Sequence, residues 1–251
     1  PRSRPARLPL GSLGIGQPTF TNTGVVLANQ GNALVIQPGG GSADFTNNGT
    51  LTADNAVLQL TGGTFNNGGT IQATNGGTLR FNAAVNSSGT VNVGSANLTG
   101  TGSYTQTGGS FILTGGSAQL NSAFNFQGGL VDARGTINAA IMNNATLQPA
   151  LGGAGLNVTG NVTLLSSSNL VFQLGGLTQG TQYGYMNVNG SVALNGQLVL
   201  SFVNGFQNSV THNDTFTLMN TAALSGAVQN IAPGNLLLPP GAEGSFLFTY
   251  N

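Results

Sequence analysis

Five arginines, five acids, one histidine and four tyrosines are all the ionisable side chains in this 251-residue chain, which has neither lysine nor cysteine. His212 stands alone in SVTHND (209–214). A general base needs a partner to orient it, so a solvated loop residue is the expected role. Zinc needs three or four ligands, which one histidine without cysteine does not supply. A phosphate-binding P-loop needs its lysine. We therefore expect no metal, no bound cofactor and no catalytic residue.

Glycoside cleavage is the chemistry worth testing, because it asks only for two carboxyl groups roughly 5–9.5 Å apart. The candidates are Asp44, Asp54, Asp132, Asp214 and Glu243. Asp44 and Asp54 form the most plausible pair, yet both have the neighbours of turn residues: Asp44 follows GGGSA and Asp54 precedes Asn-Ala. Asp132 and Arg134 share a strand face and read as an exposed ion pair of little worth. A lyase would need clustered acids for calcium. GGGSAD (39–44) is a single failed copy of a calcium-binding repeat.

Charged residues make up 4% of the chain, and the net charge is zero. Arg2, Arg4 and Arg7 lie in the first seven residues, leaving Arg80 and Arg134 for the body. Neutralising phosphates takes clustered cations, so nucleic acid is not an expected partner. The 39% apolar content separates the chain from disordered low-complexity segments, and the scarcity of charge favours self-association. The opening PRSRPARLPLGSLGIG is broken by Pro and Gly. It reads as the arm of a fragment or processed product, not as a membrane span.

The few charges must be carried by a repeat. TFNNGGTIQATNGGTLRF (64–81) shows its phrase: an aromatic, an Asn two residues on, a Gly four on, then an aliphatic. The first position falls on Phe20, Phe45, Phe65, Val85, Tyr104, Phe124, Ile141 and Val158, at intervals of 25, 20, 20, 19, 20, 17 and 17 residues. The second falls on Asn22, Asn47, Asn67, Ser87, Gln106, Phe126, Asn143 and Gly160. Six residues after the first come Val26, Leu51, Ile71, Val91, Ser110, Leu130, Leu147 and Leu164. A period near 20 with two-residue alternation and Asn-x-Gly corners predicts an all-β parallel β-helix. Phe should stack inward on the Phe of the next coil. Asn should bond the Asn above and below at an inward corner. Asp54 and Asp132 would then lie about four coils, roughly 19 Å, apart.

Three segments are expected: an arm over 1–18, repeats over 19–165, and wider coils or a β-sandwich cap over 166–251. LNVTGNVTL (156–164) returns as MNVNGSVAL (186–194) about thirty residues later. Threonines at 50, 70, 90, 146 and 163 suggest an ice-binding ladder, but the partner position reads Thr52, Gln72, Asn92, Gln148 and Leu165. Ordinary strand propensity explains them better.

The rungs resemble the β-helical passenger regions of autotransporter-like and filamentous-haemagglutinin-like bacterial surface proteins. NLVFQLGG (169–176), QYGYMNVNGSVALNGQLVLSFVNGF (182–206) and NDTFTLMN (213–220) look like the module that often follows such rungs. Relatives often carry Tyr-Asp where this chain has Tyr183-Gly184. The resemblance implies a secreted protein at the bacterial surface.

The expected function is a non-enzymatic, extracellular structural or adhesive protein. Its partners would be copies of itself, joined end to end or by strand addition, or a host or matrix surface; a fibre, sheath or matrix is the specific form. The alternative is a carbohydrate-binding or carbohydrate-cleaving β-helix, phage tailspikes included. Tyr183 and Tyr185 are the nearby aromatic pair it could use, with packing the plainer role.

Overall fold

A computed structural model describes residues 19–38, 44–232, 234–239 and 244–250. Arg2, Arg4, Arg7, most of the GGGSAD stretch and Glu243 lie outside the described residues.

The chain is a parallel β-solenoid with about seven coils of about 20 residues, followed by wider coils and a small antiparallel sheet. Each coil carries three strands, and like strands stack in parallel register to give three faces around one core. Phe20–Asn22, Asp44–Asn47, Tyr104–Gln106, Phe124–Phe126, Ile141–Asn143 and Val162–Leu164 belong to the first face. Val25–Ala28, Thr50–Asp54, Thr70–Thr74 and Thr90–Gly94 belong to the second, and Leu34–Ile36 and Asn97–Gly100 to the third. Longer strands such as Val57–Asn67 and Thr78–Ser87 run across a corner, from the third face onto the first, with a bulge between Thr61 and Thr64.

Alternation decides what goes inside. Phe45, Asn47, Leu51, Ala53, Leu58 and Leu60 of one coil are all buried; the strand residues that alternate with them are more exposed, except Thr52, which the Gln72 amide of the next coil covers. Each fully buried large apolar side chain contributes about 1.5–3 kcal/mol. Phe45 lies on Phe65 with ring centroids 5.3 Å apart, and Tyr104, Phe111, Phe124 and Phe126 form one aromatic cluster.

The Asn-x-Gly-Thr phrase now has a physical account. Asn22 Nδ2 donates to Asn47 Oδ1 at 2.7 Å, Asn47 to Asn67 at 2.7 Å, and Asn67 to Ser87 Oγ at 3.0 Å. The same amides reach the backbone carbonyls of Thr70 and Thr90 in the next coil, at 3.0 and 3.2 Å. Each Thr donates its own N–H to the Gly carbonyl of the coil before: Thr70 to Gly49 at 2.9 Å, Thr90 to Gly69 at 2.8 Å. A Cβ on Gly69 would collide with the Gly49 carbonyl oxygen, and one on Gly89 with that of Gly69. Glycine is therefore a steric requirement of the column.

Three parts of the sequence alignment shift. The second-face column runs Val91, Phe111, Val131, Leu147, so Phe111 and Val131 point inward where Ser110 and Leu130 were expected. The corners before them hold one more residue, with Gly109 and Gly129 at positive φ. Ile141 stacks on Val162, not Val158, which instead stacks on Ile137. The loop 150–155 adds residues between the second and third faces, which a constant interval of 17 overlooked. Thr163 consequently lies beside Met142 on the first face, apart from the column of Thr50, Thr70 and Thr90.

The thirty-residue echo holds as geometry: Leu156, Asn157 and Val158 pair with Met186, Asn187 and Val188. Parallel pairing continues through Met219–Gly226, so wider coils follow residue 165. Ile231–Ala232, Leu236–Leu237 and Phe246–Leu247 then form the antiparallel sheet. Phe246 packs on Phe202 and Phe216, with centroids 6.1 and 6.0 Å away.

Candidate functional site

Asp54, Asp132 and Asp214 are each held by a separate set of bonds. Asp54 ends a second-face strand, and its Oδ1 accepts from Thr74 Oγ1 (3.1 Å) and Asn75 Nδ2 (2.6 Å) in the next coil. Asp44 begins the first-face strand of the same coil. The two therefore stand at opposite ends of the third face, whose five-residue strand span alone is about 13 Å. That exceeds the separation a carboxylate pair needs. Asp132 accepts from Gln148 Nε2 at 3.1 Å, and Arg134 donates to the Leu151 carbonyl. The expected Asp132–Arg134 ion pair is thus replaced by separate bonds to the next coil. Asp214 Oδ2 takes the Thr211 N–H at 2.7 Å in an exposed turn that also holds His212. Among the described residues, no three His, Asp or Glu side chains gather where they could hold a metal.

Tyr183 is buried edge-on against Phe216, with centroids 5.2 Å apart, and the Tyr185 ring lies against Gly155 and Gly180. Both pack. Burial pushes the phenol of Tyr104 above its ordinary range, partly opposed by a hydrogen bond with Ser87. Its hydroxyl also lies 3.2 Å from Gln106 Oε1, and Gln106 Nε2 donates to the Gly128 and Leu130 carbonyls. These groups are interior and take no part in a surface site.

Two outward arrangements remain. On the first face, a shallow open depression of about 270 Å³ is lined by Thr46, Asn48, Asn66, Asn86, Ser88 and Thr107, together with Asn67 and Gly68. It offers amides and hydroxyls repeated from coil to coil, and no charge. On the third face, Asn187 Nδ2 donates to Asn157 Oδ1 and Asn220 Nδ2 to Asn187 Oδ1, each at 3.0 Å. This outer amide column escaped the sequence reading. Its signal was present in the recurring LNV, MNV and MNT.

The inner amide column contains a break. Asn143 is buried at the ladder position, its Nδ2 bonds the Ala145 carbonyl at 3.0 Å, and its Oδ1 has no partner. The coil before it presents Phe126, which cannot donate, and the coil after it presents Leu164.

Among the described residues, no helix is long and apolar enough to cross a membrane. No protein-family model, no curated protein and no solved structure matches the chain. The comparisons thus leave function to the geometry.

Proposed function

We propose that this protein is a non-enzymatic structural or adhesive protein of the bacterial cell exterior, its rigid solenoid serving as spacer and contact surface. The observation that carries this reading is how its polar groups are used. The inner amides bond each other along the axis, and Asp54 and Asp132 are each held by side chains of the next coil. Asp54 and Asp132, which could do chemistry, serve instead to tie one rung to the next. The likeness of the rungs to autotransporter-like and haemagglutinin-like passengers supports the exterior location.

Antibody labelling of intact source cells, with protease shaving, tests the location. Label on intact cells is expected; label that appears only after permeabilisation overturns the reading. The amide- and hydroxyl-lined depression favours one second reading, contact with a polysaccharide along the first face. Screening for reducing-end release addresses cleavage. No turnover is expected, and turnover abolished by Asp54→Asn would replace the structural reading with an enzymatic one.

A further inference from the structure

The C-terminal end of the solenoid is closed unevenly. On the second face the next rung is imitated by a single side chain: Asn230 Oδ1 accepts the Leu198 N–H at 3.0 Å, and its Nδ2 donates to the Leu198 carbonyl at 2.7 Å. Gln229 N–H bonds the Gly196 carbonyl beside it at 2.7 Å. Val228, two residues before Asn230, is buried. The Asn230 side chain thereby blocks strand addition at Leu198.

The adjoining edge is different. Met219–Gly226 pairs with Met186–Leu194 on one side, and among the described residues no strand pairs with the other. Residues 222–226 are all exposed. Leu224 extends the inward column of Val192, yet it is 39% exposed where Val192 is fully buried. The strand reads MNTAALSG, with neither the charge nor the proline that ordinarily guards an edge. Leu236, Leu238, Leu247 and Tyr250 of the neighbouring segment are exposed as well.

We propose that the free edge 219–226 joins a second copy of this chain, strand to identical strand, antiparallel across a two-fold axis. Three observations select that occupant. A whole incoming coil cannot seat, because Asn230 already takes the Leu198 backbone groups of the second face and Phe246 packs on Phe202 at the end of the same strand. A foreign partner finds no charge or aromatic group on the strand to recognise. An identical neutral edge is self-complementary under a two-fold, since antiparallel pairs exchange N–H and C=O reciprocally, and zero net charge brings no repulsion. The inference rests on the structural reading only in taking self-association as the use of this edge, and it yields a closed dimer, not a fibre.

Sedimentation of the full chain over a wide concentration range should show monomer and dimer and nothing larger. The double variant Ala223→Lys/Ser225→Lys should remain monomeric with little change in thermal unfolding, because both residues are exposed and alternate with the inward Leu224. The natural chain lacks cysteine, so single cysteines walked through 221–225 report contact directly. At least one should give a disulfide-linked dimer under mild oxidation, whereas Val35→Cys, exposed on the first coil, should not. A monomeric wild type, a dimer that survives the lysines, cross-linking at Val35 alone, or open-ended oligomers each overturn the proposal. A monomer would leave the exterior location standing, since cell labelling reads that independently.

Discussion

Asn67 and Asn143 are the same residue type, both buried, in the same inward column, but truncating them should have different consequences. Asn67→Ala removes the acceptor of Asn47 Nδ2 and the donor to Ser87 Oγ and the Thr90 carbonyl. Three hydrogen bonds at about 1 kcal/mol net each place the loss near 3 kcal/mol. Asn143→Ala removes one bond, to an Ala145 carbonyl that keeps the Asn169 N–H. It also removes an Oδ1 that is buried without a partner, a burden of about 1–3 kcal/mol. Loss and relief offset each other, so the net change should lie within about 1 kcal/mol of zero. Urea unfolding followed by circular dichroism measures both, with hydrogen exchange at the flanking strands to localise the effect, since solenoid stability is carried by neighbouring repeats. Equal costs at the two positions would refute the reasoning, because the amide column would then contribute only volume. An Asn47→Ala/Asn67→Ala double-mutant cycle should give a coupling of at least about 0.5 kcal/mol.

The glycine column supplies a paired test in adjacent residues. Gly109→Ala drives a Cβ into the Gly89 carbonyl at a positive φ and should cost several kcal/mol or prevent folding, whereas Gly108→Ala meets only ordinary contacts and should melt within a few degrees of wild type. Alkaline unfolding reports on Tyr104. Its folded value is raised, so its contribution is complete below the unfolded value near pH 10 and is lost as pH climbs beyond it. Between pH 8 and 11 the wild type should lose about 1.4 kcal/mol more stability than Tyr104→Phe in urea titrations. Asn230→Ala should unseal the second-face edge. Exchange protection at the Leu198 amide should fall at least tenfold, and unchanged protection would show that the side chain is not a seal.

Much of the solenoid could be read from the residues alone, for a local reason. Burial alternates along a strand and the coil repeats, so Phe45, Phe65, Val85, Tyr104 and Phe124 fall into one column from spacing alone. Asn-x-Gly-Thr names its own partners, because an amide, a residue without Cβ and a backbone N–H each suit one role at a corner. The column slipped only where corner length changed, at Ser110, Leu130 and Val158. One extra glycine, or the loop 150–155, alters register without altering the alternation on either side.

Tertiary structure decided what depends on neighbours distant in sequence. The separation of Asp44 from Asp54 follows from which face each strand joins. The orphaned oxygen of Asn143 follows from Phe126 standing one coil away, and the seal at Leu198 from an asparagine 32 residues later. No local pattern marks these, because a hydrogen bond between coils is fixed by three-dimensional register, whereas burial alternation is fixed by the geometry of a single strand.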